Sequence, residues 1–130
     1  MTLDPRTINN EEQGFLALPF TIEETGGVYS LTEEDTGNPV ALTANNEISA
    51  GADDETFLGR LIAVSADGAI GTVQVKGICA DLPYSGVTPV LGWPIQMSGS
   101  GTVDKGITDG AARGITLAVD TVNAMCDVLL

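Results

Sequence analysis

The fold of this chain is decided by two stretches of equal length, PVALTANNEISAGADDETFLGRLIAVSADGAIGTVQV at residues 39–75 and PIQMSGSGTVDKGITDGAARGITLAVDTVNAMCDVLL at residues 94–130. They are parts of a longer ungapped match, because a shift of 55 positions aligns residues 29–75 with residues 84–130. Eleven of the 47 aligned positions are identical, where this composition would give about three or four by chance. The identical pairs are Tyr29/Tyr84, Ser30/Ser85, Gly37/Gly92, Pro39/Pro94, Gly51/Gly106, Asp54/Asp109, Gly59/Gly114, Ala63/Ala118, Val64/Val119, Ala69/Ala124 and Val73/Val128. The match indicates a tandem duplication of one β unit.

Both copies predict the same strands, because apolar residues alternate with small or polar ones at the two-residue period of a β-strand. The predicted strands are 39–43, a short strand around Ile48, 58–65 and 71–75 in the first copy, and 94–98, a short strand around Val103, 113–120 and 126–130 in the second. Turns between them contain residues that tolerate positive φ, such as Asn45-Asn46 and Ser100-Gly101. We therefore predict an all-β fold, a small β-barrel or sandwich of about eight strands, built from two tandem units related by a pseudo-two-fold axis.

Residues 1–27 fall outside the repeat and are predicted to form an extended N-terminal arm. The repeat units, about 28–75 and 83–130, are expected to form a β-barrel domain over residues 28–130. The arm contains the densest apolar cluster of the chain, FLALPF at residues 15–20. Exposed apolar clusters are uncommon on monomers, so this cluster should pack either on the chain's own barrel or on a neighbouring subunit or partner. The candidate contact residues are Phe15, Leu16, Leu18, Pro19 and Phe20.

The charge of the chain excludes several classes of function. Its 18 acidic and five basic residues give a net charge of −13, which repels nucleic-acid phosphates. Residues 1–55 carry −11 of this charge and residues 56–130 carry −2, so the first part of the chain has a distinct surface role or a distinct demand for solvation. The chain contains no histidine, which removes the Ser-His and Cys-His catalytic arrangements. We predict a protein that is not an enzyme and needs no cofactor.

Residues that could bind a metal or carry out chemistry have structural interpretations. The repeated Asp54/Asp109 pair could supply carboxylates to calcium, but the Asp-x-Asp-x-Asp-Gly spacing is absent, which favours an Asx-type turn and predicts no metal site. Cys79 and Cys126 lie in separate apolar runs without CxxC spacing and are predicted to be buried, reduced thiols. The sequence does not decide whether Trp93 lies in the core or at an interface.

Targeting signals and membrane-spanning segments are not expected. The N-terminal sequence lacks a basic start followed by an apolar stretch. The apolar runs are shorter than the roughly 20 residues that a membrane span requires. The sequence therefore predicts synthesis in the cytoplasm and no contact with a membrane.

Several segments resemble the small capsid decoration (cement) proteins of tailed bacteriophages, and the likeness covers about residues 28–130. The segments that carry it are FLGRL at 57–61, GTVQVKG at 71–77, LPYSG at 82–86, GWP at 92–94, LAVD at 117–120 and DVLL at 127–130. The resemblance implies a compact β domain that binds the major capsid protein on the outer surface of the expanded head and stabilises it. It also implies self-association as a homotrimer, location on the virion, and a role for the arm in capsid or intersubunit contacts. The long acidic N-terminal segment departs from the simplest family members.

A second class of function stays open from the sequence. A small β domain could instead be a ligand-binding or carbohydrate-binding module of a phage tail or host-adhesion structure. Such a module would need a deep cleft lined by aromatic side chains, and the chain has one Trp, two Tyr and three Phe.

Overall fold

The computed structural model describes residues 15–107 and 110–130, and the fold is all-β, as predicted. Within these residues the chain forms twelve strands and one short 3-10 helix, Glu33–Asp35. The strands are β1 (Leu16–Ile22), β2 (Glu24–Thr25), β3 (Val28–Tyr29), β4 (Pro39–Ala44), β5 (Glu47–Ser49), β6 (Phe57–Val64), β7 (Ile70–Lys76), β8 (Ile78–Pro83), β9 (Ile95–Gly99), β10 (Thr102–Lys105), β11 (Ile115–Asp120) and β12 (Met125–Leu129). No helix in this described part is long and apolar enough to span a membrane.

The first unit, β1 to β7, contains a closed five-stranded barrel. Its strand order is β1-β5-β4-β6-β7, and β7 closes the barrel by pairing with β1. All neighbours are antiparallel except β1 and β5. The predicted turn after β4 is present, with Asn46 in the left-handed region at φ 55°. The buried core of this barrel consists of Ile22, Leu31, Val40, Ile48, Leu61 and Val73.

The second unit, β8 to β12, repeats this strand order, but two of its strand connections are single bridges rather than continuous ladders. Strand β12 pairs with both β8 and β11, while β9 and β10 form a separate hairpin. The isolated bridges Tyr84–Val103 and Ile95–Arg113 connect the hairpin to β8 and to β11, respectively. The resulting order, β8-β10-β9-β11-β12, matches that of the first unit strand for strand. Its core contains Cys79, Leu82, Ile95, Met97, Val103, Cys126 and Val128, together with Ala41 and Phe57 from the first unit.

Strand β1 corrects the predicted boundary between arm and barrel. The sequence assigns residues 15–22 to the arm, but β1 pairs with β7 in the same way as β8 pairs with β12. Thr21 faces Ile70 and Pro83 faces Met125, so the first strands correspond at an offset of 62 rather than 55. The β2–β3 hairpin supplies the additional residues. Each unit therefore begins one strand earlier than the repeat indicates, and residues 1–14 of the predicted arm lie outside the described residues.

Backbone polar groups of one unit are satisfied by side chains that reach across from the other. The Arg113 guanidinium donates to the carbonyl oxygens of Leu58 and, at 2.9 Å, of Val75. The Arg60 guanidinium donates to the carbonyl oxygen of Ala80 at 3.1 Å. Because hydrogen bonds to charged groups are stronger than neutral ones, these contacts fix the relative position of the two units.

Candidate interaction surfaces

Four of the five predicted contact residues lie on β1 and Phe15 immediately precedes it; the five separate into two groups. Phe20 is half-buried and packs against the first core. Phe15, Leu16 and Leu18 are each 40–45% exposed, and Pro19 is also exposed. Four of the five side chains are thus exposed while Phe20 packs against the first core, and their role in capsid or intersubunit contacts stays a prediction.

The exposed part of β1 is a strand edge that is protected against further pairing. Strand β5 contacts β1 only at Thr21 and Ile22, so residues 16–20 have β7 as their single partner strand in the described part of the chain. The Thr21 N–H donates toward β5, to the Asn46 carbonyl oxygen at 2.8 Å. Alternation places the nitrogen of Pro19 on the same open side, where proline offers no N–H. This edge therefore presents side chains rather than a template for an added strand.

A second apolar surface surrounds Trp93 in the second unit. We define the Trp93 patch as Val87, Val90, Leu91, Trp93, Lys105 and Ile107. Its five apolar members are between 41% and 66% exposed. The Lys105 ammonium lies 4.0 Å from the centroid of the Trp93 ring, a cation–π geometry that holds the indole in place. The sequence left Trp93 open between core and interface, and the structure places it at the surface.

The loop that carries the Trp93 patch is held by backbone hydrogen bonds. The Trp93 carbonyl oxygen accepts two bonds from buried Thr116, from its N–H at 2.9 Å and from its hydroxyl at 2.8 Å. The Trp93 N–H donates to the Val90 carbonyl oxygen at 3.0 Å, and the Lys105 N–H donates to that of Val87 at 3.0 Å. The exposed side chains are therefore presented by a preorganised backbone, which lowers the entropic cost of binding.

A polar cluster covers one face of the β9–β10 hairpin, beside the patch. The hydroxyl groups of Ser85, Ser98 and Thr102 form a triangle with oxygen separations of 2.8–3.1 Å. The Gln96 side chain is fully buried, donates to Asp54 at 2.7 Å, and accepts from the Ile107 N–H at 3.0 Å.

Asp54 and Asp109 are the two residues considered above as possible calcium ligands. Asp54 lies in a turn with φ 64° and accepts the bond from Gln96, while Asp109 lies outside the described residues. Residues 15–107 and 110–130 contain no grouping of three or more His, Cys, Asp or Glu side chains suited to a metal ion.

Asp104 is the buried carboxylate of this cluster. It is 6% exposed, and its Oδ1 has no hydrogen-bond partner among residues 15–107 and 110–130. Burial raises the pKa of this carboxyl, and the charges of Asp53 and Asp54 raise it further, against the lowering effect of a hydrogen bond from the Val87 backbone. The folded protein therefore retains this proton to a higher pH than the unfolded chain does, so its contribution to stability is lost as the pH rises through the folded-state pKa.

Replacing Asp104 by Asn should remove that pH-dependent loss. At about pH 7 we expect Asp104→Asn to be more stable than the wild type by about 1 kcal/mol, with a smaller difference at about pH 4. Asp67→Asn is the contrasting variant, because the Ser65 hydroxyl and the Ala69 N–H lower the pKa of the Asp67 carboxyl, and it should be the less stable chain at about pH 7. Urea unfolding at both pH values measures the two differences. An Asp104 variant less stable than the wild type at the higher pH would contradict the prediction.

A groove and two free thiols lie elsewhere in the described part of the chain. A groove of about 560 Å³ is lined by residues that include Tyr29, Glu33, Glu34 and Asp67, with Tyr29 as its aromatic member. Cys79 and Cys126 are free and buried, as predicted. Burial raises the pKa of Cys79 to about 11 and that of Cys126 to about 12, so both remain unreactive thiols at neutral pH.

Comparison of the chain with protein-family models, curated proteins and solved structures finds no match. Its function is therefore inferred from its own surfaces. Two of them, the exposed edge of β1 and the Trp93 patch, combine exposed apolar area with a rigid backbone.

Proposed function

We propose that this chain is a capsid decoration protein, which binds the major capsid protein on the outer surface of the expanded head of a tailed phage and stabilises the shell. The observation that carries the proposal is a pair of exposed apolar surfaces on a small, strongly acidic, two-unit β fold. Apolar area of this kind marks an interaction site. The resemblance over residues 28–130 supplies the class of partner, and with it the proposed homotrimer and the location on the virion.

The physical demands of decoration agree with these features. A decoration protein needs a stable fold, a surface for its neighbours and a surface for the shell, and it does not need an active site. A homotrimer that engages several lattice sites at once binds with avidity, so modest individual contacts are sufficient. The net charge of −13 would keep decorated particles mutually repulsive and soluble.

The test uses undecorated, expanded heads of the phage that encodes the chain. We expect saturable binding to these heads, and heads that withstand higher temperature and stronger osmotic shock once the protein is bound. Unexpanded heads serve as the control and should bind less protein. Equal heat and osmotic resistance with and without the protein would disprove the proposal.

A further inference from the structure

The internal duplication places two loops of opposite chemistry at equivalent positions of the two units. Residues 31–38 of the first unit correspond to residues 86–93 of the second. Three hydrogen bonds recur at the offset of 55. In the first unit the N–H groups of Gly37, Leu61 and Asn38 donate to the carbonyl oxygens of Leu61, Asn38 and Asp35, respectively. In the second unit the N–H groups of Gly92, Thr116 and Trp93 donate to the carbonyl oxygens of Thr116, Trp93 and Val90, respectively. All six distances lie between 2.7 and 3.0 Å. The two loops therefore share these three bonds, although the first loop also contains the 3-10 helix Glu33–Asp35.

The side chains on these loops differ in a consistent direction. The first-unit positions equivalent to the six patch residues are Thr32, Asp35, Thr36, Asn38, Ala50 and Ala52, where the second unit has Val87, Val90, Leu91, Trp93, Lys105 and Ile107. Polar or small residues are thus replaced by larger and mostly apolar ones. Because the first-unit loop forms the three shared bonds with polar or small residues at these positions, those bonds do not require large apolar side chains. Exposed apolar area that the shared bonds do not require indicates a surface that binds.

From this comparison we infer that the Trp93 patch docks onto a folded protein surface that presents apolar side chains and a carboxylate opposite Lys105. The inference rests on the proposed function, in which that partner is the capsid shell, and it adds which face of the chain meets the shell. Lys105 is the only charged residue of the patch, so complementarity favours an acidic group on the partner. An aromatic side chain in a rigid setting is also the kind of residue that most often dominates binding.

The distribution of charge gives the orientation an independent basis. Residues 29–75 contain eight acidic residues and one basic residue, whereas residues 84–130 contain four and two. The second unit can thus approach a partner with less desolvation of charge, while the acidic first-unit loop remains in water. A two-fold contact between two copies through the same patch would bring two Lys105 ammonium groups together, which disfavours that arrangement.

Grafting first-unit residues into the second-unit loop tests the inference. The variants are Trp93→Asn and the triple change Val90→Asp, Leu91→Thr and Trp93→Asn, each of which introduces the residue found at the equivalent first-unit position. We expect Trp93→Asn to weaken binding to undecorated expanded heads by about 30-fold or more, and the triple variant to bind more weakly still. Glu34→Gln, in the equivalent acidic loop, is the matched control and should bind like the wild type. Thermal unfolding confirms that each variant is folded.

Each result separates this inference from the proposed function. Wild-type binding that Trp93→Asn leaves unchanged overturns the docking assignment and leaves the proposed function standing. Absence of wild-type binding overturns both. Loss of oligomer mass by Trp93→Asn in sedimentation would assign the patch to contacts between copies, which also overturns it. If the grafted variants fail to fold, Lys105→Glu provides the same test, and we expect it to weaken binding by about tenfold; unchanged binding by that variant overturns the assignment.

Discussion

Deletion of residues 1–22 is expected to abolish the cooperative unfolding of this protein, whereas deletion of residues 1–14 should preserve it. Strand β1 contributes six paired positions to β7 and closes the first barrel. Without it, β7 becomes an open edge, and the core loses Ile22, which is 1% exposed, and the packing of Phe20. Removal of a buried Ile or Phe side chain alone costs about 2–5 kcal/mol, and the whole stability of a small domain is about 5–15 kcal/mol.

Circular dichroism and urea unfolding of the two truncated chains measure this difference. The chain without residues 1–14 is the matched control, because every strand of the described barrel begins at Leu16 or later. A chain without residues 1–22 that retains the wild-type urea midpoint would show that β1 is dispensable. Loss of folding on removal of residues 1–14 alone would place structural contacts upstream of Phe15.

The repeat predicts most of the fold because each copy confirms the other. The predicted strand at 58–65 is observed as β6, Phe57–Val64, and the one at 113–120 as β11, Ile115–Asp120. The first strand of each unit was missed for a physical reason. The β2–β3 hairpin, Glu24–Tyr29, separates β1 from the rest of its unit, so β1 and β8 cannot align in an ungapped search.

The prediction of an all-β fold built from two β units is confirmed, but the sequence did not show how the strands are divided between two cores. Each unit arranges five strands in the same order and has its own core. The apolar alternation within a strand shows which side chains turn inward, but it does not show which strands share that interior. Phe57 illustrates the difficulty, since it lies on β6 of the first unit and is buried in the core of the second.

The candidate surfaces depend on contacts that a linear sequence does not reveal. Gln96 donates to Asp54, 42 positions away, and no motif connects them. The exposure of Trp93 is set by the loop backbone and by Lys105, so the residue type alone left its place open. A signal was nevertheless available in the repeat, because Asn38 and Trp93 occupy equivalent positions with opposite chemistry. Divergence between duplicated copies is therefore as informative as their identity.

Gly59 is identical to its equivalent in the second copy, Gly114. We expect Gly59→Ala to prevent folding. A Cβ atom at this position would overlap the carbonyl oxygen of Gln74 and lie 3.0 Å from Val73 Cγ1. The obstacle is backbone of the adjacent strand, since β6 and β7 pair antiparallel with Arg60 opposite Gln74. Relief would require the two strands to separate, which breaks the barrel ladder. We expect loss of the cooperative transition in urea, beyond the usual 1–3 kcal/mol of an overpacked site.

Gly71→Ala is the matched control on the neighbouring strand, and its contrast with Gly59→Ala isolates the cause. A Cβ at Gly71 would meet only side-chain ends, Ile48 Cδ1 at 2.9 Å and Leu61 Cδ1 at 3.1 Å, and these can rotate. The equivalent position in the second unit is Cys126, a larger residue in the same place of the ladder. Gly71→Ala should therefore fold and lose about 1–3 kcal/mol. Equal losses in both variants would show that β6 and β7 can separate at Gly59, and that its retention in both copies has another cause.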